Sequence, residues 1–184
     1  MEKNDGPFKK GFVTDFVDAK AVEDKVMELA NTYPRLVSII TRDYRTAGYD
    51  GKKEELKGPA ALFYLKIGNK EKDRSHMPGV LLAAAPHARE VMQPMVMLEV
   101  LQQLLVNYHP ESDDPAVKEI TDLMDSTAIY IVPVSNPDGL NFALYDDPDW
   151  RKTRCKIPHS EFQGEIRSGA PWEFRTKKIW PVLR

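Results

Sequence analysis

The pattern of apolar and polar positions along this chain predicts its helices and strands. Apolar positions at helical spacing indicate helices, and short apolar runs indicate strands. Over residues 15–33 the apolar positions fall on one helical stripe, which Pro34 ends. A second helix is predicted over residues 90–108, where Pro94 lies in a first turn that tolerates proline. A third is predicted over residues 115–124.

Four apolar runs predict strands, at residues 36–40, 60–67, 80–85 and 128–134. The last two runs contain no charged position, which is typical of strands buried on both faces. Helices that alternate with such strands predict an α/β fold with a largely parallel sheet. Residues 155–184 show neither a helical nor a strand-like apolar pattern, and we expect an irregular tail there.

Composition excludes some classes of partner. The chain has 184 residues, of which 42% are hydrophobic, enough for one globular domain. Its 26 basic and 28 acidic residues nearly cancel, so we expect no nucleic-acid or membrane partner. The single cysteine, Cys155, excludes an internal disulfide and a cysteine-based zinc cluster. We find no signal-peptide pattern in the flexible segment 1–11, and a cytoplasmic location is permitted.

Candidate chemistry follows the run 80–85 directly. His87, Arg89 and Glu90 come at the carboxyl end of this predicted strand, where open α/β sheets place their ligands. A histidine and a glutamate three positions apart at a helix start project to one side, so both can reach one zinc ion. The alternative is an ordinary pair at a helix N-terminus, with the glutamate favoured by the helix dipole.

Three ordered segments resemble the zinc metallocarboxypeptidase family, of the carboxypeptidase A/B type. They are Pro-His-Ala-Arg-Glu at residues 86–90, Asn-Pro-Asp-Gly at residues 136–139 and Trp-Arg-Lys-Thr-Arg at residues 150–154. The resemblance covers residues 12–154, the N-terminal half of the family's catalytic domain. It implies a truncated three-layer α/β/α sandwich with a mixed sheet, and hydrolysis of the C-terminal peptide bonds of peptides or proteins.

The resemblance also implies a role for each matching residue. His87 and Glu90 would be ligands of one Zn²⁺ ion, Arg89 would bind substrate, and Arg151 would polarise the scissile carbonyl, a task suited to a permanent cation. Arg89 as a solvated residue stays open as an alternative. So does Arg151 as a loop arginine paired with an aspartate at position 146, 147 or 149. Lys152 and Arg154 are interpreted as surface charges, and the Asn-Pro-Asp-Gly segment as a type I turn.

The chain departs from the family pattern after residue 154. The sequence contains no Asn-Arg dipeptide, which the family uses to clamp the substrate carboxylate, and the family's second zinc histidine and general-base glutamate are not recognisable. His159 comes too soon after Arg151 to be that histidine. We therefore expect a fragment with an incomplete zinc site and little activity. An inert binding or regulatory relative, or another zinc amide hydrolase, are the alternatives.

Overall fold

The computed structural model describes residues 15–74 and 76–154. The predicted segment 1–11 and the tail 155–184, with Cys155 and His159, lie outside them. The helices are α1 (Ala19–Thr32), α2 (Met92–Val106), α3 (Pro115–Ser126) and α4 (Pro137–Tyr145). The strands are β1 (Val37–Arg45), β2 (Ala61–Ile67), β3 (Gly79–Ala83) and β4 (Ala128–Val132), and a short 3-10 helix covers Glu54–Leu56. No helix in the described ranges is long and apolar enough to span a membrane.

The four strands form a mixed sheet in the order β1-β2-β4-β3. The β1–β2 and β2–β4 pairings are antiparallel, and the β3–β4 pairing is parallel. The α/β class is confirmed, but the expectation of a largely parallel sheet is not met in this part of the chain. A parallel pairing needs a long crossover, which α2 and α3 provide only between β3 and β4.

One face of the sheet carries the hydrophobic core. Leu65, Ile67 and Ile131 are almost fully buried there, and buried residues of α1, α2 and α3 belong to the same cluster. The pairing register puts Tyr64 and Tyr130 on the opposite face, where both are partly exposed. The described helices of this core thus form one layer on the sheet. The second helical layer of a three-layer sandwich stays an expectation.

Strand β3 differs from its prediction. The run 80–85 was expected to be buried on both faces, yet 45% of Val80 and 64% of Leu81 are exposed. β3 lies at the edge of the sheet, where β4 is its one neighbour in the described ranges. An apolar sequence indicates that a strand can be buried. Whether it is buried depends on which strands and helices lie beside it, and its own sequence does not determine these.

Helix α4 was not predicted, because the Asn-Pro-Asp-Gly segment was interpreted as a turn. The side chain of Asn136 accepts a hydrogen bond from the backbone N–H of Gly139, and Pro137 occupies the first turn. These are the cap and the first residue that a helix start favours. The segment therefore begins a helix, and the signal for it was present in the sequence.

Candidate functional site

Two loops meet at the carboxyl ends of the parallel strands β3 and β4. The N–H of Ala84 donates to the carbonyl of Val132 (2.9 Å), and the N–H of Ser135 donates back to the carbonyl of Ala84 (2.8 Å). Ala84 and Ala85 are almost completely buried. The chain that leaves β3 is therefore held in place before it reaches His87.

His87 and Glu90 are brought together by a turn. The N–H of Glu90 donates to the carbonyl of His87 (3.2 Å), and the ring Nδ1 of His87 lies 2.8 Å from Oε1 of Glu90. The helix α2 begins only at Met92, so the two residues precede the helix rather than occupy its first turn. About 40% of the His87 side chain and 36% of the Glu90 side chain are exposed, which leaves both accessible to a ligand.

Arg151 reaches the same place from the end of the described chain. Its Nη2 lies 2.9 Å from Nε2 of His87, and its carbonyl accepts a hydrogen bond from the N–H of Ala88 (3.2 Å). The same Nη2 lies 3.4 Å from Nδ1 of His87, so the guanidinium faces the ring as a whole and not one nitrogen alone. The imidazole ring thus lies between a carboxylate and a guanidinium.

Two of the three alternative partners of Arg151 accept hydrogen bonds from other groups. Asp146 accepts hydrogen bonds from the hydroxyl of Tyr49 (2.6 Å) and the N–H of Lys52 (2.9 Å). Asp147 accepts one from the N–H of Asp149 (3.1 Å). In the described ranges Arg151 forms no ion pair with any of the three aspartates.

Arg89 is not part of the contacts among His87, Glu90 and Arg151 that the structure describes. Its side chain is exposed, and it forms no ion pair with another described residue. In sequence it lies between the two candidate ligands. A role in binding substrate stays a prediction.

The backbone that carries Arg151 is anchored through Lys152. The carbonyl of Lys152 accepts hydrogen bonds from the side-chain amide of Asn136 (3.2 Å) and from the indole N–H of Trp150 (2.8 Å). The Asn136 contact joins the third family-like segment to the second, and the contact between Ala88 and Arg151 joins it to the first. All three segments converge on one point.

Arg154 is a structural residue, and its interpretation as a surface charge was wrong. Its guanidinium carbon lies 3.8 Å from the ring centre of Phe142 and 4.8 Å from that of Trp150, and the group is paired with Asp50. Only 14% of the side chain is exposed. The planar cation suits both contacts, because it stacks on aromatic rings and donates to a carboxylate in the same plane. Lys152 is exposed, as predicted.

Asp138 ties the loop 46–60 to helix α4. Its buried carboxylate accepts hydrogen bonds from the Thr46 hydroxyl and the Gly48 N–H, each at 2.8 Å. Burial raises the pKa of the Asp138 carboxyl above its usual value, and the two hydrogen bonds only partly oppose this rise. Sequence reasoning missed this residue, because an aspartate in an Asn-Pro-Asp-Gly segment has a sufficient local explanation as a turn residue.

The metal-binding potential of the site rests on one pair of residues. Within the described ranges no group of three or more histidine, cysteine, aspartate or glutamate residues could hold a metal ion. Two ligands in a tetrahedral zinc site, each about 2.0–2.1 Å from the metal, lie about 3.3 Å apart. Nδ1 of His87 and Oε1 of Glu90, at 2.8 Å, need to separate by only about 0.5 Å to reach this geometry. The pair therefore fits as two zinc ligands.

Comparison with known proteins shows which family this chain resembles. The family model for zinc carboxypeptidases matches residues 23–169. Mouse carboxypeptidase A4 is 26% identical over 166 residues, and carboxypeptidase B of Astacus astacus is 26% identical over 143 residues. These matches cover 89% and 78% of this chain but only 35% and 40% of the relatives.

A solved structure shows the same fold. The crystal structure of thrombin activatable fibrinolysis inhibitor superimposes with a TM-score of 0.61 at 23% identity, over 78% of this chain and 31% of the other. The chain thus spans well under half the length of these similar proteins. The family model covers most of the chain. The chain belongs to the zinc carboxypeptidase family.

Proposed function

We propose that this chain carries the His-Glu and arginine part of the active site of a zinc carboxypeptidase, an enzyme that hydrolyses C-terminal peptide bonds. The observation that carries the proposal is the contact of His87 with both Glu90 and Arg151, at 2.8 Å and 2.9 Å. Two of these groups are zinc-ligand types, and the third is a permanent cation. Membership of the family supports zinc as the metal and peptides as the substrates.

His87 and Glu90 are the proposed zinc ligands. In such sites zinc supplies a Lewis acid for the scissile carbonyl and a bound water of lowered pKa. Ligation by Nδ1 of His87 requires a ring nitrogen without a proton, so metal ligation would replace the present contact between Nδ1 and Oε1 of Glu90. Catalytic zinc sites have three protein ligands as a rule. A site made of this pair alone is therefore weak.

Arg151 is the proposed electrostatic residue. Its guanidinium lies beside the ring of a candidate ligand, and its backbone is fixed by Ala88 and Lys152. A fixed cation at this position stabilises negative charge that develops on the carbonyl oxygen during attack. Arg89, which is exposed and has no ion-pair partner in the described ranges, is the proposed substrate-binding residue.

Zinc titration of the purified chain tests the ligand assignment. Calorimetry should detect one zinc ion per chain, and His87→Ala and Glu90→Ala should each weaken binding by more than the tenfold that loss of a supporting contact typically causes. His109→Ala is the matched control, because His109 is exposed and lies beyond the C-terminal end of α2. Binding that is unaffected by either substitution would overturn the assignment.

An activity assay tests the reaction. Peptides with free C-termini are incubated with the zinc-loaded chain, and released amino acids are measured. Because the family's general-base glutamate is not recognisable in the sequence, we expect turnover to be at least about 100-fold below that of an ordinary carboxypeptidase. Zinc binding without any turnover would favour the alternative, an inert relative that binds peptides. Turnover that survives His87→Ala would contradict the proposed site.

A further inference from the structure

Gln93 makes two short side-chain hydrogen bonds at the start of α2. Its Oε1 accepts a hydrogen bond from the backbone N–H of Ala85 (2.7 Å), and its Nε2 donates one to Oε2 of Glu90 (2.7 Å). An N–H only donates and a carboxylate only accepts, so the partners fix which end of the amide is oxygen and which is nitrogen. Both ends of the side chain are therefore used in one defined orientation.

The first of these bonds holds an unusual backbone. Ala85 has φ of 50°, in the left-handed region that non-glycine residues rarely adopt, and it is completely buried. The turn through Ala85 sends the chain from β3 to His87. A buried N–H in such a turn needs an acceptor, and the side chain of Gln93 supplies it. The same residue therefore stabilises the turn that precedes the first candidate ligand.

Because of the second bond, the two oxygens of the Glu90 carboxylate have different partners. Oε1 lies against Nδ1 of His87, and Oε2 is held by Gln93. When a metal replaces the bond between His87 and Glu90, the bond from Gln93 to Oε2 does not have to break. Oε1 then keeps its direction toward the ring, and the carboxylate does not have to be reoriented as the metal binds.

We propose that Gln93 is a positioning residue that holds Oε1 of Glu90 toward the metal-binding side of His87. The inference deepens the proposed function and rests on it, because it takes His87 and Glu90 as the ligand pair. Gln93 acts through Glu90 and does not itself contact the metal. A purely structural role would lower the stability of the chain and leave the metal affinity of the folded protein unchanged.

Gln93→Met tests the inference, because methionine has a similar length but cannot make either hydrogen bond. Zinc affinity is measured by calorimetry and the cobalt-loaded chain by visible absorption, both at a temperature where the variant is folded. We expect zinc affinity to fall about 10- to 100-fold and the cobalt bands to change in position or intensity. Gln103→Met is the matched control on the same helix, since Gln103 contacts Asn107 instead of the site, and it should leave both readouts unchanged.

The outcomes separate this inference from the proposed function. Unchanged affinity and unchanged cobalt bands in Gln93→Met would overturn the inference while leaving the ligand pair intact. If the parent chain binds no metal, the ligand assignment fails, and a crystal structure of Gln93→Met then decides the inference. A Glu90 carboxylate still 2.8 Å from His87 would overturn it, whereas a displaced carboxylate would support it. If Gln93→Met does not fold, Gln93→Ser is measured in the same way, because serine suits a helix start but is too short to reach both partners.

Discussion

The body of β3 and the turn that follows it are adjacent in sequence and opposite in environment. Val80 and Leu81 are 45% and 64% exposed, whereas Ala84 and Ala85 are 2% and 0% exposed. All four residues are apolar, so hydrophobicity does not explain the difference. The strand body is paired on one side by β4. The turn is enclosed by the loop after β4 and by Gln93.

The contrast shows that more hydrogen bonds from neighbouring segments hold the site than hold the sheet edge beside it. Within the described ranges, hydrogen bonds join the three family-like segments to one another around His87. The edge strand has no such support, and an exposed apolar edge is prone to associate with other chains. The residues that hold the site can therefore be tested separately from those that hold the sheet.

The largest expected effect comes from one substitution made in a buried strand and in the exposed strand β3. Leu65→Ala, in the middle of the buried face, should lower the free energy of unfolding by about 2–5 kcal/mol, because it opens a cavity at a fully buried position. Leu81→Ala on the edge strand should change it by no more than about 0.5 kcal/mol. Urea denaturation followed by circular dichroism measures both. Equal losses would mean that the edge of β3 is covered in solution.

A smaller loss is expected at the loop that carries Arg151. Arg154→Ala removes the pair with Asp50 and the stacking on Phe142 and Trp150, and it should cost about 1.5–3 kcal/mol. Lys152→Ala, two positions away and exposed, is the matched control and should be within about 0.5 kcal/mol of the parent. The same denaturation experiment compares them. An Arg154→Ala variant as stable as the parent would show that the contacts of Arg154 with Asp50, Phe142 and Trp150 are not formed in solution.

The smallest effect is a pH dependence at Asp138. Its pKa is raised in the folded chain above the ordinary value of 3.8, so the folded state holds this proton more tightly than the unfolded state does. The stability that this proton contributes is fully present when the pH is below the ordinary pKa of Asp138. It is lost as the pH rises through the raised pKa of the folded chain. The stability of the parent relative to Asp138→Asn should therefore decline as pH rises from 3 toward neutrality, as about ten denaturation curves across this range would show. A difference that grows with pH would contradict the direction of the shift.

Much of the fold could be predicted because it depends on local pattern. The helical stripe before Pro34 and the apolar runs at residues 60–67 and 128–134 correspond to α1, β2 and β4. The exposure of β3 could not be predicted, since it depends on which strands are its neighbours. Likewise the antiparallel pairing of β2 with β4 depends on the path of the chain through space and leaves no signal in either strand.

The site could be predicted in part for a similar reason. His87, Glu90 and Arg151 were identified from the resemblance of short segments to a family, and the fold brings them together. The supporting residues were missed. Gln93 resembles an ordinary helix residue, and Arg154 resembles a surface charge, until their partners 8 and 104 positions away are known. Long-range partners of this kind are fixed by the fold and cannot be read from local spacing.

The most direct test of the account is a crystal structure of this chain grown with zinc, with anomalous diffraction recorded at the zinc edge. The account predicts an anomalous peak about 2.0–2.2 Å from both Nδ1 of His87 and an oxygen of Glu90, with Arg151 still beside the ring. A peak at the exposed His76 or His109 with none at His87, or no peak at all, would contradict the claim that these residues form part of a zinc site.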